Sequence, residues 1–185
     1  MIRLQHFLKA EDGTSTIEFC FVVPLVLTIF FASFESSYYM VRHVMLERSV
    51  DQVVRDLRLG TLIPDTAAPT AGHALLKQAI CERSALISSM TGCLDSIRIW
   101  LQPVNTATWD INPPDACVDK TAGVAPLTTI PAGEFAPGAD NEIMLMRVCL
   151  REEPMFSTTA VGAAMMRSDG EFALVTTSVF VNEPG

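Results

Sequence analysis

Charge is scarce in this sequence, and basic charge scarcest. Only 18% of the 185 residues are Asp, Glu, Lys or Arg, and 13 basic side chains face 21 acidic ones, for a formal net charge of −8. Such a chain lacks the basic face that nucleic-acid binding requires. Histidine is rarer still. His6, His43 and His73 stand far apart, which leaves little material for a histidine metal cluster. No two cysteines have the C-x2–4-C spacing of a zinc site, no glycine-rich phosphate loop is present, and Trp100 and Trp109 have no neighbouring aromatic cluster to form a carbohydrate platform. No metal and no cofactor are expected. Apolar residues, by contrast, make up 49% of the chain, and that excludes an intrinsically disordered protein.

Much of the apolar content lies in one run. Residues 19–34 (FCFVVPLVLTIFFASF) carry no charge, and over the longer stretch 17–40 only Glu18 and Glu35 do. About 20 apolar residues cross a bilayer as a helix, so 17–40 reads as a membrane span. Pro24 leaves the Cys20 carbonyl without its helical partner and should bend the helix. Beyond the run, Val41, Val44, Met45, Val50, Val53, Val54 and Leu57 recur at helical spacing, with Glu47, Arg48, Asp51, Gln52, Arg55 and Asp56 between them. No breaker intervenes before Gly60. One helix over 17–59 has 43 residues, or about 65 Å at 1.5 Å per residue. Half of it suffices for the membrane, and the remainder carries the rest of the chain.

An ordinary secretory signal would be cut after the run. Arg3 and Lys9 supply its basic start, but the residues that follow the run, FESSYY, make a poor small-x-small site. The other feature of the N-terminus is Gly13, five residues before Glu18, in EDGTSTIEF. A carboxylate at the edge of the hydrocarbon is costly and needs a reason.

Gly13, Glu18 and Phe19 together resemble a type IV prepilin processing site. With Pro24, the stretch LERSVDQVVRDLRLG at 46–60 and the closing VFVNEP at 179–184, the chain resembles TadE-like pseudopilins of tight-adherence (Tad, or Flp) pilus systems. The resemblance implies a leader of residues 1–13 cut after Gly13 by a prepilin peptidase, with Thr14 as the new N-terminus. It implies that Glu18 meets the α-amine of a neighbouring subunit, so that Glu18, Phe19 and Pro24 act in assembly. It implies a minor pilin of the bacterial inner membrane, partnered by other major and minor pilins and an inner-membrane pilus assembly platform. Its role would be surface attachment, biofilm formation or secretion, with no catalytic activity. Two other readings stay open: a minor pseudopilin of a type II secretion system, and a membrane-tethered or secreted binding module that is not a pilin.

Basic residues flank the span almost evenly, Arg3 and Lys9 before it, Arg42 and Arg48 after it, so they do not set its orientation. Cysteine does better. Cys20 lies in the span, and Cys81, Cys93, Cys117 and Cys149 all follow it. An even set without metal spacing reads as two disulfides in a periplasmic domain. Four cysteines allow three pairings. The resemblance to TadE-like proteins favours Cys81–Cys93, and Cys117–Cys149 would tie a proline-rich insertion to a strand. Cys20 would stay unpaired.

Residues 60–185 form the expected domain, with 7 basic and 14 acidic side chains, a balance that keeps it off anionic surfaces. A turn-rich connection at 61–72 leads to a second helix over 73–90. Strands are expected over 94–101, 142–150 and 171–181, and a short helix within 154–166. Between the first two strands, 103–141 is an irregular insertion with six of the eleven prolines. The fold class is therefore α+β and pilin-like: a long transmembrane and amphipathic helix, then a small domain with a second helix packed on an antiparallel sheet of about three strands. Catalysis finds no footing here. His73 reads as a surface residue at a helix start. Glu152 and Glu153 are sequence neighbours in a solvated loop, and Met144, Met146, Met165 and Met166 read as core rather than copper ligands.

Overall fold

The computed structural model describes residues 14–63, 68–84, 92–109, 111, 117, 134–166 and 170–183. Residues 1–13, expected as a leader, and most of the insertion lie outside them, as do the last residues expected for the second helix.

Helix α1, Thr14–Arg58, runs unbroken through Pro24. It is followed by α2 (Pro69–Arg83), the single turn α3 (Cys93–Ser96), β1 (Ile97–Pro103), β2 (Ile143–Glu152), the short α4 (Ala160–Met165) and β3 (Phe172–Val181). The three strands form one antiparallel sheet in the order β1-β2-β3. The α+β architecture expected from the sequence is the one observed.

The boundaries differ in instructive ways. Helix α2 begins four residues before His73 because Pro69 occupies its first turn, where a missing N–H costs nothing and the fixed φ suits a helix. Of the strand expected over 94–101, the first three residues belong to α3. Gly92, at φ 113°, supplies the left-handed turn that starts it, a conformation open to glycine. Strand β2 extends two residues beyond its expected end, to Glu152.

One face of the sheet builds the core. Ile97, Ile99 and Leu101 of β1 lie opposite Leu150, Val148 and Met146 of β2, and all six are buried with Leu76 and Ile80 of α2 and Leu46, Val50 and Val53 of α1. The methionines at 144 and 146 are core residues, 1% and 0% exposed. On α1 the buried stripe is 46, 50, 53 and 54, while Val41 and Val44, expected on the same side, face outward. The other face of β2 is not bare either, since Leu145 and Cys149 are buried on it.

Two disulfides fasten the domain. Cys81 of α2 joins Cys93 at the start of α3 across a Cα–Cα distance of 6.1 Å. Cys117 joins Cys149 of the central strand across 5.4 Å. Beside it, Arg98 of β1 pairs with Glu134 and donates to the Cys117 carbonyl oxygen at 3.2 Å. Residues 134–136 add a backbone bridge along the free side of β1, with the Leu101 amide donating to the Glu134 carbonyl at 2.8 Å. Cys20 is a free, exposed thiol on α1.

Candidate functional site

Helix α1 divides into two halves with different partners. Over residues 15–30 every side chain faces outward except Val23, which is half covered, and the row includes Phe19, Phe21, Leu25, Val26, Ile29 and Phe30. Exposed apolar surface on this scale is tolerated only where something other than water covers it. The length and composition suit a single membrane crossing. From Phe31 onward the same helix is built into the domain.

At the N-terminal edge of the apolar half sits Glu18, exposed. Counted from Thr14, it falls just beyond the first helical turn, which holds no acidic residue. The favourable field of a helix N-terminus fades within that turn, so the helix itself does little to offset the cost of this carboxylate. Thr14 opens the helix, whereas Gly13 lies outside the described residues. Phe19 and Pro24 are both outward-facing on the apolar half.

The junction between the halves is a polar arrangement that the sequence did not announce. Glu35, Arg42 and Ser49 follow one another at seven-residue spacing, which places them on one side of α1, and all three are about 1% exposed. Each has a partner. The Glu35 carboxylate accepts from the backbone amides of Met155 (3.0 Å) and Phe156 (2.9 Å). The Phe156 ring rests on Phe31 and Phe34, with centroids 4.9 and 6.1 Å away. The Arg42 guanidinium pairs with Glu152 at the end of β2 and lies 5.1 Å from the centre of the Tyr38 ring. The Ser49 hydroxyl donates to the Leu46 carbonyl. A second buried ion pair, Arg151 Nε to Glu171 Oε2 at 2.8 Å, comes from the preceding residue of β2, whose side chain points to the opposite face of the sheet.

Burial pushes the Glu152 carboxyl up to about 7, and the Arg42 charge offsets only part of that. Glu152 was expected in a solvated loop. It is instead the last residue of β2 and is turned inward, because the strand runs two residues further and carries it under α1. Glu153 remains exposed. His73, expected at the surface, is likewise inside: α2 begins at Pro69, so the imidazole enters the core edge-on to Phe135 at 5.4 Å. Its pKa is lowered, first by burial and then by Lys77, against the charge of Glu134. A neutral, enclosed imidazole beside a phenyl ring is a packing element. Among the described residues no group of three or more His, Cys, Asp or Glu gathers as metal ligands.

Comparison with known proteins bears on one part of the chain. Residues 13–55 match the family model of TadE-like proteins. No curated protein and no solved structure matches. The TadE-like segment thus comprises nearly all of α1, the exposed apolar half and most of the half that enters the core. It contains Gly13, Glu18, Phe19 and Pro24, and also Glu35 and Arg42. Sequence reasoning noted Glu35 and Arg42 only as charges. The available signal was that an acid inside an apolar run must find donors somewhere.

Proposed function

We propose that this chain is a minor pilin or pseudopilin of a Tad/Flp-type pilus, a structural and assembly component rather than an enzyme. Residues 1–13 are a leader removed after Gly13 by a prepilin peptidase. The outward-facing half of α1 anchors the protein in the bacterial inner membrane, and the disulfide-bonded domain stands in the periplasm. Its partners are other pilins, which meet the apolar half of α1 and Glu18, and the inner-membrane assembly platform.

The observation that carries this reading is the TadE-like match over residues 13–55, lying on a helix whose first half is apolar and uncovered by its own domain. The two disulfides support an oxidising compartment for the domain. Intact-mass analysis of protein extracted from the cell envelope tests it. Loss of residues 1–13, with retention of the leader in a Gly13→Leu variant, is the expected result. An unprocessed chain, or a cut beyond the apolar run, overturns it.

A further inference from the structure

The loop and short helix between β2 and β3 are uncharged over most of their length. Residues 154–166 (PMFSTTAVGAAMM) contain no ionisable side chain, although Arg151, Glu152 and Glu153 precede them and Arg167 and Asp169 follow. A neutral run of this length is not peculiar to the segment, since residues 121–133 form another, and a reason to single it out must come from its position.

That position supplies one. This segment docks on α1 at Phe31, Phe34 and Glu35. A hydrocarbon core about 30 Å thick takes some 20 helical residues. Counted from Phe19, the first residue beyond Glu18, that length ends near residue 38. The docking point therefore falls inside the apolar depth, at its outer edge. Residues 15–30 alone are too short to fill it.

Backbone at that depth must satisfy its own polar groups, and several amides of this segment have partners. The amides of Met155 and Phe156 donate to Glu35. The Thr159 amide donates to the Phe156 carbonyl, and the Thr159 hydroxyl caps α4 by accepting from the Gly162 amide at 3.0 Å. The Ala163 and Met166 amides donate to the Thr159 and Gly162 carbonyls. The fold is tight enough that a Cβ on Gly162 would lie 2.2 Å from the Phe156 carbonyl oxygen. Glu35 gains in the same way: the loop seals a carboxylate that would otherwise face lipid. Outward, the segment presents Met155, at 49% exposure, with Ser157, Thr158, Ala160, Ala163 and Ala164, a surface with two hydroxyls and no charge.

We propose that residues 154–166 form a lipid-binding foot, seated in the outer leaflet beside α1 with the Met155 side chain among the acyl chains. The occupant of this surface is the phospholipid bilayer itself. The foot sets how far the domain stands from the membrane, and Glu35 is its positioning residue. The inference rests on α1 being a membrane span, and the experiment separates the two.

Single cysteines at Val26, Met155 and Thr177 are spin-labelled in the full chain carrying Cys20→Ser, in phosphatidylcholine and phosphatidylglycerol vesicles. Accessibility to oxygen, which partitions into lipid, is compared with that to a water-soluble nickel chelate. The expected result is a lipid-type ratio at 26 and 155, several-fold above that at 177, which lies exposed on β3. A lipid-type ratio at 26 with a water-type ratio at 155 overturns the foot and leaves the span standing. A water-type ratio at 26 overturns both. Hydrogen exchange of the unsubstituted chain in the same vesicles adds a reading free of substitutions: the amides of 155, 156 and 159 should exchange more slowly than in detergent-free lipid-depleted protein, and equal rates count against the foot.

Discussion

Arg42 and Glu152 meet inside the protein although 110 positions separate them in the chain. One comes from α1, beyond its outward-facing apolar half, and the other from the central strand, so the pair couples that helix to the sheet. The two partners are not equivalent. A carboxyl deprived of its counter-charge protonates, whereas a guanidinium stays charged at any accessible pH.

The asymmetry is measurable. Glu152→Leu should destabilise the detergent-solubilised chain by about 3–5 kcal/mol in denaturant titration, the usual cost of stranding a buried charge. Arg42→Met should cost less, and the double variant should recover most of the loss. Equal single costs that simply add would refute the coupling.

The pH dependence follows from the same carboxyl. Its folded-state pKa rises from an ordinary 4.5 to about 7. The folded protein therefore binds more protons than the unfolded chain within that interval. Stability contributed by the neutral acid is full below about pH 4.5 and is lost as pH climbs through 7. His73, with its lowered pKa, works in the opposite direction, favouring the fold as pH rises toward the ordinary imidazole value. The difference in slope between the native chain and Glu152→Gln isolates the carboxyl: between pH 5 and 7 the variant should lose less stability. Parallel curves would count against a raised Glu152.

Glu18 should matter for assembly and not for insertion. Glu18→Ala removes a charge from the membrane edge that the helix end does little to offset, so membrane extraction profiles should be unchanged. On the proposed pilin function, pilus assembly should fail, because the neighbouring subunit's amine proposed to meet Glu18 loses its counter-charge. Normal piliation by electron microscopy in such a strain would dismiss this role.

The disulfides should differ in what they hold. Under the loop-entropy model, removing Cys81–Cys93 costs about 3 kcal/mol and removing Cys117–Cys149 about 4 kcal/mol, the larger loop costing more. Limited proteolysis distinguishes them further. Cys117→Ala/Cys149→Ala should open cleavage within 103–141, while Cys81→Ala/Cys93→Ala should leave that region's cleavage pattern unchanged.

Much of this architecture could be read from local pattern. The continuous apolar run followed by helical periodicity gave α1, and three short segments of β-branched and apolar residues gave the strands. The errors have local causes as well. The turn-like stretch AAPTAG masked a helix start, because Pro69 is as suitable for a first turn as for a bend. Leu94 to Ser96 read as strand, because the four residues of α3 are too few to show a helical period. Val41 and Val44 fit the buried side by spacing yet face outward, because α1 is apolar on more than one side at that level. The junction was not legible at all. Glu35 finds its donors 120 positions away, and no spacing within a helix reports a partner that only the tertiary fold brings near.

Because α1 passes from its uncovered half into the core without a linker, the domain has a fixed compass bearing. Each residue of an α-helix turns the chain by about 100° and advances it by 1.5 Å. One alanine inserted between Phe30 and Phe31 would leave the anchor and the domain individually intact, yet swing the whole sheet more than a quarter turn about the helix axis. Two neighbouring anchors packed as before would then present the wrong sides of their domains to each other. The length of α1 therefore encodes a direction as well as a distance.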